Sequence, residues 1–258
     1  MNVHPTAIIH PQARLAPTVA IGPYCVIGEH VELGDDCELM SQVVIDGHTQ
    51  IGPRNRFFPF VSIGLAPQDQ KYRGEPTRVE IGSENIFREF VTVHRGTAGG
   101  GGLTRIGSHN LLMAYVHVAH DCTLGDDIIM ANGATLAGHV EIQNKAIVGA
   151  FSAIHQYCRV GTHAFLGGYS VVTRDLLPYA KTSAPRPLGV YGANHLGLQR
   201  QGLSPEDIAE LEAAFRLLCR AKLNTTQALE AIEARAFQSE HVRVLVDFIK
   251  SSKRGVVK

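Results

Sequence analysis

Residues 122–142 read CTLGDDIIMANGATLAGHVEI and carry large apolar side chains at every sixth position: Leu124, Met130, Leu136 and Ile142. The same step extends in both directions, through Ile106, Leu112 and Val118 on one side and Val148, Ile154, Val160, Leu166 and Val172 on the other. An earlier run contains Ile9, Leu15, Ile21, Ile27, Leu33, Leu39, Ile45, Ile51, Phe57 and Ile63, and it reappears at Ile81, Phe87 and Val93. A repeat this long decides the fold before any single motif does.

A smaller residue stands two positions before most of these apolar residues, for example Cys25, Cys37, Cys122 and Cys158. Residues two apart on a strand face the same way, so each hexapeptide offers one large and one small side chain to a common interior. Six residues are too few for a helical repeat. The pattern therefore predicts a mainly β protein, a parallel β-helix in which three short strands make one coil.

Two segments break the period and are predicted to be loops that leave the β-helix, at residues 65–78 and 96–104. The second contains four consecutive glycines at 99–102. The period ends near Val172, and a helical pattern follows a proline-rich stretch. Ser204 and Pro205 are typical of a helix start, and further helices are expected from Thr225 and over 242–249. The predicted domains are 1–187, the β-helix, and 188–258, a small helical domain.

Composition excludes several classes of protein. The chain has 258 residues, with 45% hydrophobic and 19% charged, and 24 basic side chains balance 24 acidic ones. This balance argues against a nucleic-acid-binding protein. No apolar run approaches the roughly 18 residues of a membrane span, and the N-terminus lacks a signal-peptide pattern. Five cysteines without a C-x-x-C pair argue against a disulfide framework. We expect a cytoplasmic protein without stable membrane insertion.

Four histidines are predicted to share one corner of successive coils. With 18 residues per coil, His117, His120, His139 and His155 fall at positions 9, 12, 13 and 11. Imidazole can act as a general base near neutral pH. Three imidazoles can instead hold Zn²⁺ with an open position for hydroxide, as in the gamma-class carbonic anhydrases, which bind zinc on a hexapeptide β-helix. The residues alone leave both chemistries open.

Several motifs stand out across nearly the whole chain: Gln68-Asp69-Gln70-Lys71-Tyr72, Val93-His94-Arg95-Gly96-Thr97, Ala119-His120-Asp121-Cys122, Leu136-Ala137-Gly138-His139-Val140 and His155-Gln156-Tyr157-Cys158. Together they resemble the motifs of one family, the acyl-ACP–UDP-N-acetylglucosamine O-acyltransferases that begin lipid A synthesis. The resemblance implies a left-handed β-helix, an exception to the usual right-handed crossover. It also implies a homotrimer with active sites between subunits, and a reaction that needs neither metal nor cofactor.

The resemblance further implies a role for individual residues. His120 matches the general base, Asp121 the carboxylate that supports it, and Gly138 the glycine whose N–H faces the oxyanion. Positions that contact the sugar nucleotide or the acyl group are matched by Asp69, Lys71, His117, His139, His155, Gln156 and Arg200. Gly168, beside Phe165, matches the position that limits the acyl-chain groove.

The implied activity is transfer of a 3-hydroxyacyl chain from acyl carrier protein to the 3-hydroxyl of UDP-N-acetylglucosamine. The alternatives are a hexapeptide acyltransferase for another nucleotide sugar or amine, a zinc-dependent hydratase of the gamma carbonic anhydrase type, and a purely structural β-helix. The stretch Ser183-Ala184-Pro185-Arg186-Pro187 departs from the family's Gly-Asn pair. Gln199, Gln201 and Leu196 also differ from the family around the expected phosphate-binding Arg200.

The last coils are expected to be basic. Between 145 and 187 the chain has Lys145, Arg159, Arg174, Lys181 and Arg186 against one acid, Asp175. Such a surface attracts an acidic partner. We therefore predict that this end of the β-helix, with Arg159 and Arg174 in particular, steers the acyl carrier protein.

Overall fold

The computed structural model describes residues 1–183 and 188–258. Its strands, in chain order, are β1 (Asn2–Val3), β2 (Ile8–Ile9), β3 (Arg14–Leu15), β4 (Ala20–Ile21), β5 (Val26–Ile27), β6 (Val31–Leu33), β7 (Glu38–Leu39), β8 (Val44–Ile45), β9 (His48–Ile51), β10 (Arg56–Phe57), β11 (Ser62–Leu65), β12 (Arg78–Ile81), β13 (Ile86–Phe87), β14 (Thr92–His94), β15 (Leu103–Ile106), β16 (Leu111–Leu112), β17 (His117–Val118), β18 (Thr123–Leu124), β19 (Ile129–Met130), β20 (Thr135–Leu136), β21 (Glu141–Ile142), β22 (Ile147–Val148), β23 (Ala153–Ile154), β24 (Arg159–Val160), β25 (Phe165–Leu166), β26 (Val171–Val172), β27 (Ala180–Ser183) and β28 (Gly189–Ala193). The helices are α1 (His195–Arg200), α2 (Pro205–Cys219), α3 (Thr225–Ala234) and α4 (Glu240–Lys250).

Every third strand joins the same sheet, so three sheets form the faces of a prism. The first sheet runs from β1 through β4 and β7 to β25, β27 and β28, the second from β2 to β26, and the third from β3 to β24. Pairing is parallel along the coils, as in Ala20 with Glu38, 18 residues on. Only β27 and β28 pair antiparallel among the strands described. The fold is the left-handed parallel β-helix that the resemblance implies, followed by a small set of helices.

The predicted interior is confirmed. Ile45, Phe57, Leu112 and Leu136 are completely buried, and so are the cysteines of the smaller position. A glycine follows several of the apolar residues, as Gly52 follows Ile51, and such a glycine allows close approach between coils without a positive φ. A Cβ on Gly52 would lie 2.8 Å from the carbonyl oxygen of Gly82. The positive φ of that corner, 58°, belongs to Arg54 two residues later.

Both predicted loops leave the prism at one corner, which we call the second corner: the segments between second-sheet and third-sheet strands. The structure makes both loops shorter than the repeat predicted. The first loop is 66–77, because Leu65 and Arg78 pair within the sheets. The second loop is 95–102 and contains a short 3-10 helix, Ala98–Gly100. Leu103 and Thr104 belong to β15, which pairs with β12.

The helices α2 and α3 begin where the sequence predicted, after Ser204 and at Thr225. The Ser204 side chain accepts a hydrogen bond from Asp207 N at 3.0 Å and caps α2, and Asn224 forms a capping box with Gln227 at the start of α3. The strand β28 and the helix α1 were not expected, since α1 has only six residues and buries Leu198 alone. The predicted boundary between 187 and 188 borders residues 184–187, which lie outside the described residues, and it stays a prediction. No helix in the described part of the chain is both long and apolar enough to cross a membrane.

Candidate active site

The second corner gathers the predicted histidines from three successive coils. His120 and Asp121 lie between β17 and β18, His139 lies between β20 and β21, and His155 follows β23. Asp121 and His139 both have a positive φ, 59° and 63°. This left-handed conformation turns the chain at the corner.

His120 and Asp121 form a hydrogen-bonded pair of side chains. His120 Nδ1 lies 2.8 Å from Asp121 Oδ2. The Asp121 side chain is only 1% exposed, whereas that of His120 is 17% exposed. A carboxylate at Nδ1 favours the tautomer that carries its proton there, which leaves Nε2 free to accept one. The pair therefore has the arrangement of a general base with an orienting acid.

The Asp121 carboxylate accepts further hydrogen bonds from the second loop. Thr97 N donates to Oδ1 at 3.0 Å and to Oδ2 at 3.1 Å, and Thr97 Oγ1 donates to Oδ2 at 2.6 Å. Thr97 was not predicted as a site residue. Its only signal in the sequence is membership of the motif Val93-His94-Arg95-Gly96-Thr97.

Gly138 lies directly against the His120 ring. A Cβ at this position would be 2.5 Å from His120 Cε1 and 2.7 Å from Nε2, so any other residue would displace the ring. Among the described residues, no acceptor is found for the Gly138 N–H. The role of this N–H as an oxyanion-stabilising donor stays a prediction.

His139 packs between neighbouring aromatic rings. Its ring stacks on Tyr157 at 4.4 Å and meets His120 edge-on at 5.1 Å. Burial lowers the pKa of His139, and the neighbouring His120 lowers it further, while the carboxylates of Asp121 and Asp69 act in the opposite direction. His139 is therefore neutral at pH 7.

A second pair of histidines lies one strand away. Thr92 Oγ1 is 2.8 Å from His117 Nδ1, and the His117 ring meets His94 edge-on at 5.0 Å. Burial lowers the pKa of His117. It lowers the pKa of His94 to about 4, with further contributions from His117, His120 and Arg95. Both rings are neutral at pH 7 and can donate or accept one hydrogen bond each.

Comparison with known proteins identifies the family. A model of UDP-N-acetylglucosamine O-acyltransferase domain 2 matches residues 175–257, and a model of six bacterial transferase hexapeptides matches 103–138. An acyl-(acyl-carrier-protein)–UDP-N-acetylglucosamine O-acyltransferase from Alkalilimnicola ehrlichii is 48% identical over 77% of this chain and 77% of its own. One from Thiobacillus denitrificans is 47% identical over 80% and 79%. The structure of UDP-N-acetylglucosamine O-acyltransferase (LpxA) from Moraxella catarrhalis is 41% identical, with a TM-score of 0.96 over 100% of both chains.

The chain belongs to the acyl-(acyl-carrier-protein)–UDP-N-acetylglucosamine O-acyltransferase family.

Other residues that the family resemblance singled out lie around this corner. His155 is exposed, and Arg254 of the C-terminal tail reaches its Nδ1 at 3.4 Å. Gln156 is also exposed. In the first loop Asp69 is half-buried and accepts a hydrogen bond from Lys71 N at 2.9 Å, while Lys71 is exposed. Their roles in this O-acyltransferase stay predictions.

Three predicted residues lie away from the histidines within one chain. Arg200 is exposed at the last position of α1. Phe165 lies in β25 and Gly168 at the first corner, between first-sheet and second-sheet strands, where a Cβ would be 3.1 Å from Ala150 O. The stretch 184–187, where the sequence departs from the family, lies outside the described residues. The first and second corners border opposite edges of the second sheet.

Arg159 does not form the free basic surface that its charge suggested. Its Nε donates to Asp175 Oδ2 at 3.0 Å and its Nη2 to Phe248 O at 3.1 Å. The guanidinium also lies 4.2 Å from the centre of the Phe248 ring. Arg159 thus joins the last coils to α4. Arg174 stays exposed, and Arg186 lies outside the described residues.

The site offers metal-binding atoms but fits zinc poorly. His120, Asp121 and His139 place ligand atoms within 4.8 Å of one another. The Asp121 carboxylate, however, already accepts hydrogen bonds from Thr97 N, Thr97 Oγ1 and His120 Nδ1. Zinc sites of the hydratase type use three ligands with an open fourth position. Binding here would require breaking several buried bonds to a carboxylate, each costing about 1.5–3 kcal/mol.

Proposed function

We propose that this protein transfers a 3-hydroxyacyl chain from acyl carrier protein to the 3-hydroxyl of UDP-N-acetylglucosamine, the first step of lipid A biosynthesis. The observation that carries the proposal is the pair His120–Asp121, with Nδ1 bound to the carboxylate and the Nε2 side of the ring beside Gly138. Membership of the family supplies the substrate class. The pair supplies the base that an alcohol nucleophile requires.

In the proposed reaction, His120 Nε2 takes the proton of the sugar 3-hydroxyl while its oxygen attacks the thioester carbonyl. The carbonyl oxygen becomes an oxyanion, which the N–H of Gly138 stabilises by roughly 3 kcal/mol. Collapse of this intermediate breaks the carbon–sulfur bond. The leaving thiolate of the carrier protein then takes the proton from the His120 imidazolium, which restores the neutral base.

The surrounding residues bind and orient the two substrates in this proposal. His117 and His139, both neutral at pH 7, hydrogen-bond sugar or acyl oxygens, as do His155 and Gln156. Asp69 and Lys71 contact the sugar nucleotide from the first loop, and Arg200 contacts a phosphate. The protein acts as a homotrimer with active sites between subunits, which would let Arg200 of one subunit approach the histidines of another. A cytoplasmic location is part of the proposal.

The test is an acyl-transfer assay with purified protein, 3-hydroxyacyl-ACP and UDP-N-acetylglucosamine. We expect release of the carrier thiol only when donor and acceptor are both present, and an acylated nucleotide sugar by mass spectrometry. Parallel reactions with the 3-amino acceptor analogue and with CO₂ plus zinc test the alternative enzymes. Turnover with CO₂ but not with the acyl donor would refute the proposal.

A further inference from the structure

We propose that Thr97 is a positioning residue, which holds Asp121 in the orientation that makes His120 an effective base, and that Gly96 and Gly100 let the second loop close over this carboxylate. The inference rests on the proposed function, because it assigns a role in the same proton transfer. It concerns residues that touch neither substrate nor reacting atoms.

Both donors of Thr97 are directed at one acceptor group. The residue is 7% exposed, and its N–H and its hydroxyl both donate to the Asp121 carboxylate. The oxygen that accepts from Thr97 Oγ1 at 2.6 Å also faces His120 Nδ1 at 2.8 Å. Hydrogen bonds to an ionised acceptor are short and strong. The hydroxyl of Thr97 is thus separated from the histidine ring by a single carboxylate oxygen.

The backbone of Asp121 is held as well, by a residue that closely follows the second loop. Asp121 N donates to Thr104 Oγ1 at 2.8 Å, and Thr104 is completely buried near the start of the third-sheet strand β15. Residues 97 and 104 therefore hold the side chain and the backbone of Asp121 from the two ends of the second loop. Because both its side chain and its backbone are held, Asp121 presents its carboxylate to His120 in one orientation.

The close packing of the second loop on the Asp121 carboxylate explains why glycines occur in this loop. A Cβ on Gly100 would clash with the carboxylate carbon and both oxygens of Asp121, and one on Gly96 would lie 2.8 Å from Asp121 Oδ1. Gly100 N and Gly102 N both donate to Thr97 O, at 3.0 and 2.8 Å, which ties the loop into a tight turn. A Cβ on Gly99, by contrast, would meet nothing within 4 Å. Only some of the four glycines are needed for contact with the acid.

Removal of the Thr97 hydroxyl takes away the shorter of the bonds to Oδ2 and leaves the Asp121 carboxylate held by the Thr97 N–H alone, so its orientation towards Nδ1 is less firmly fixed. A hydrogen bond to a charged group contributes about 1.5–3 kcal/mol, which corresponds to roughly 10- to 150-fold in rate if the bond matters in the transition state. The effect belongs in kcat, since Thr97 is buried and Asp121 accepts from both of its donors, which leaves neither for a substrate. If Thr97 served folding alone, its loss would lower the stability of the protein without lowering kcat selectively at constant KM.

The experiment compares Thr97→Val with Thr97→Ser in the acyl-transfer assay, each alone and combined with Asp121→Asn. We expect Thr97→Val to lower kcat at least tenfold with KM within about twofold, and Thr97→Ser to stay within about threefold of wild type. In the Asp121→Asn background, Thr97→Val should change kcat less than threefold, because the partner has already been altered.

A matched pair of loop variants keeps the test valid if Thr97→Val folds badly. Gly100→Ala should lower kcat at least tenfold, whereas Gly99→Ala, in the same 3-10 helix, should leave it within twofold. Equal activity of the Val and Ser variants, or equal loss from both glycine variants, would overturn the inference while wild-type turnover leaves the proposed function standing. Absence of acyl transfer by the wild type would instead refute the proposed function itself.

Discussion

The two loops leave the prism at the same corner but are held in different ways. In the second loop, 95–102, Thr97 directs both of its donors onto one buried carboxylate, that of Asp121. The first loop, 66–77, is mostly exposed and is held by its own atoms: Tyr72 OH donates to Glu75 O at 2.7 Å, and Arg73 N donates to Glu75 Oε2 at 2.9 Å. Arg95, the first residue of the second loop, joins the first loop to the prism, through Tyr72 OH at 2.9 Å and Gly64 O at 2.8 Å.

This difference separates two tasks at one site. A loop whose bonds end on Asp121 affects the acid–base pair, so changes there should appear in kcat. A loop that presents Asp69 and Lys71 at an exposed surface affects substrate binding, so changes there should appear mainly in KM. Exposed, loosely held loops are also where proteins place adjustable binding residues.

The largest effect is expected where both tasks meet, at His120. Because this side chain is the proposed general base, His120→Ala should lower kcat by a factor on the order of 10²–10⁴. The ring points outward and lies over Gly138, so the β-helix should stay folded. His109→Ala is the matched control, since His109 is an exposed histidine whose ring lies 3.3 Å from Glu84, away from this corner. If the His120→Ala protein keeps more than a tenth of wild-type turnover, His120 is not the general base.

The sequence predicted features that arise between residues close together in the chain, but it did not predict contacts between residues far apart in the chain. The coils follow from a period of six, because strand alternation and burial act within a few residues. The cap at Ser204 is equally local. Thr97 reaches an acid 24 residues away, and Arg159 reaches a carbonyl 89 residues away. Neither contact leaves a pattern in one sequence, so the glycine run was predicted only as a loop and Arg159 only as a free charge.

The second effect concerns the strand that leads into the second loop. Burial holds His94 neutral and lowers its pKa to about 4, while the unfolded chain binds a proton below about 6.5. The stabilisation is therefore complete above pH 6.5 and is lost progressively as the pH falls towards 4. Between pH 7.5 and 5, the free energy of unfolding should fall by about 2 kcal/mol on account of this histidine.

His94→Gln isolates that contribution, because glutamine does not titrate in this range. Urea unfolding at fixed protein concentration should show a smaller loss of stability in the variant than in the wild type, by about 2 kcal/mol. Burial also lowers the pKa of His163 to about 4. The variant keeps His163, so part of the loss of stability at low pH should remain. Identical acid sensitivity of the wild type and the variant would mean that His94 is not held neutral by the fold.

The third effect concerns the selection of acyl-chain length, which we expect to depend on Gly168 rather than on either loop. Gly168 lies at the first corner, where its missing side chain leaves the expected acyl groove open. Each buried methylene of the donor contributes about 0.8 kcal/mol, so the wild type should prefer longer 3-hydroxyacyl donors. Gly168→Met should shift the preference to shorter chains, since overpacking costs roughly 1–3 kcal/mol. The measurement is kcat/KM over a ladder of 3-hydroxyacyl-ACPs.

Gly168→Ala is the control for this substitution. Its Cβ would lie 3.1 Å from Ala150 O, so it carries the local crowding without the length of methionine. We expect the alanine variant to keep the wild-type ranking of donors, and both variants to keep the KM for UDP-N-acetylglucosamine. If methionine leaves the ranking unchanged, Gly168 serves only the close approach of two coils.

The smallest expected effect tests the first loop directly. Tyr72→Phe removes the hydroxyl that Arg95 and Glu75 share, but it leaves the Arg95 bond to Gly64 and the guanidinium 5.5 Å from the ring. One net hydrogen bond is worth about 1 kcal/mol, so the KM for UDP-N-acetylglucosamine should rise roughly fivefold. The value of kcat should stay within twofold, because none of these bonds ends on Asp121. Tyr24→Phe, an exposed tyrosine on the first corner, should change neither constant. A loss confined to kcat would show that the first loop also acts on the His120–Asp121 pair, and the division of tasks between the two loops would be wrong.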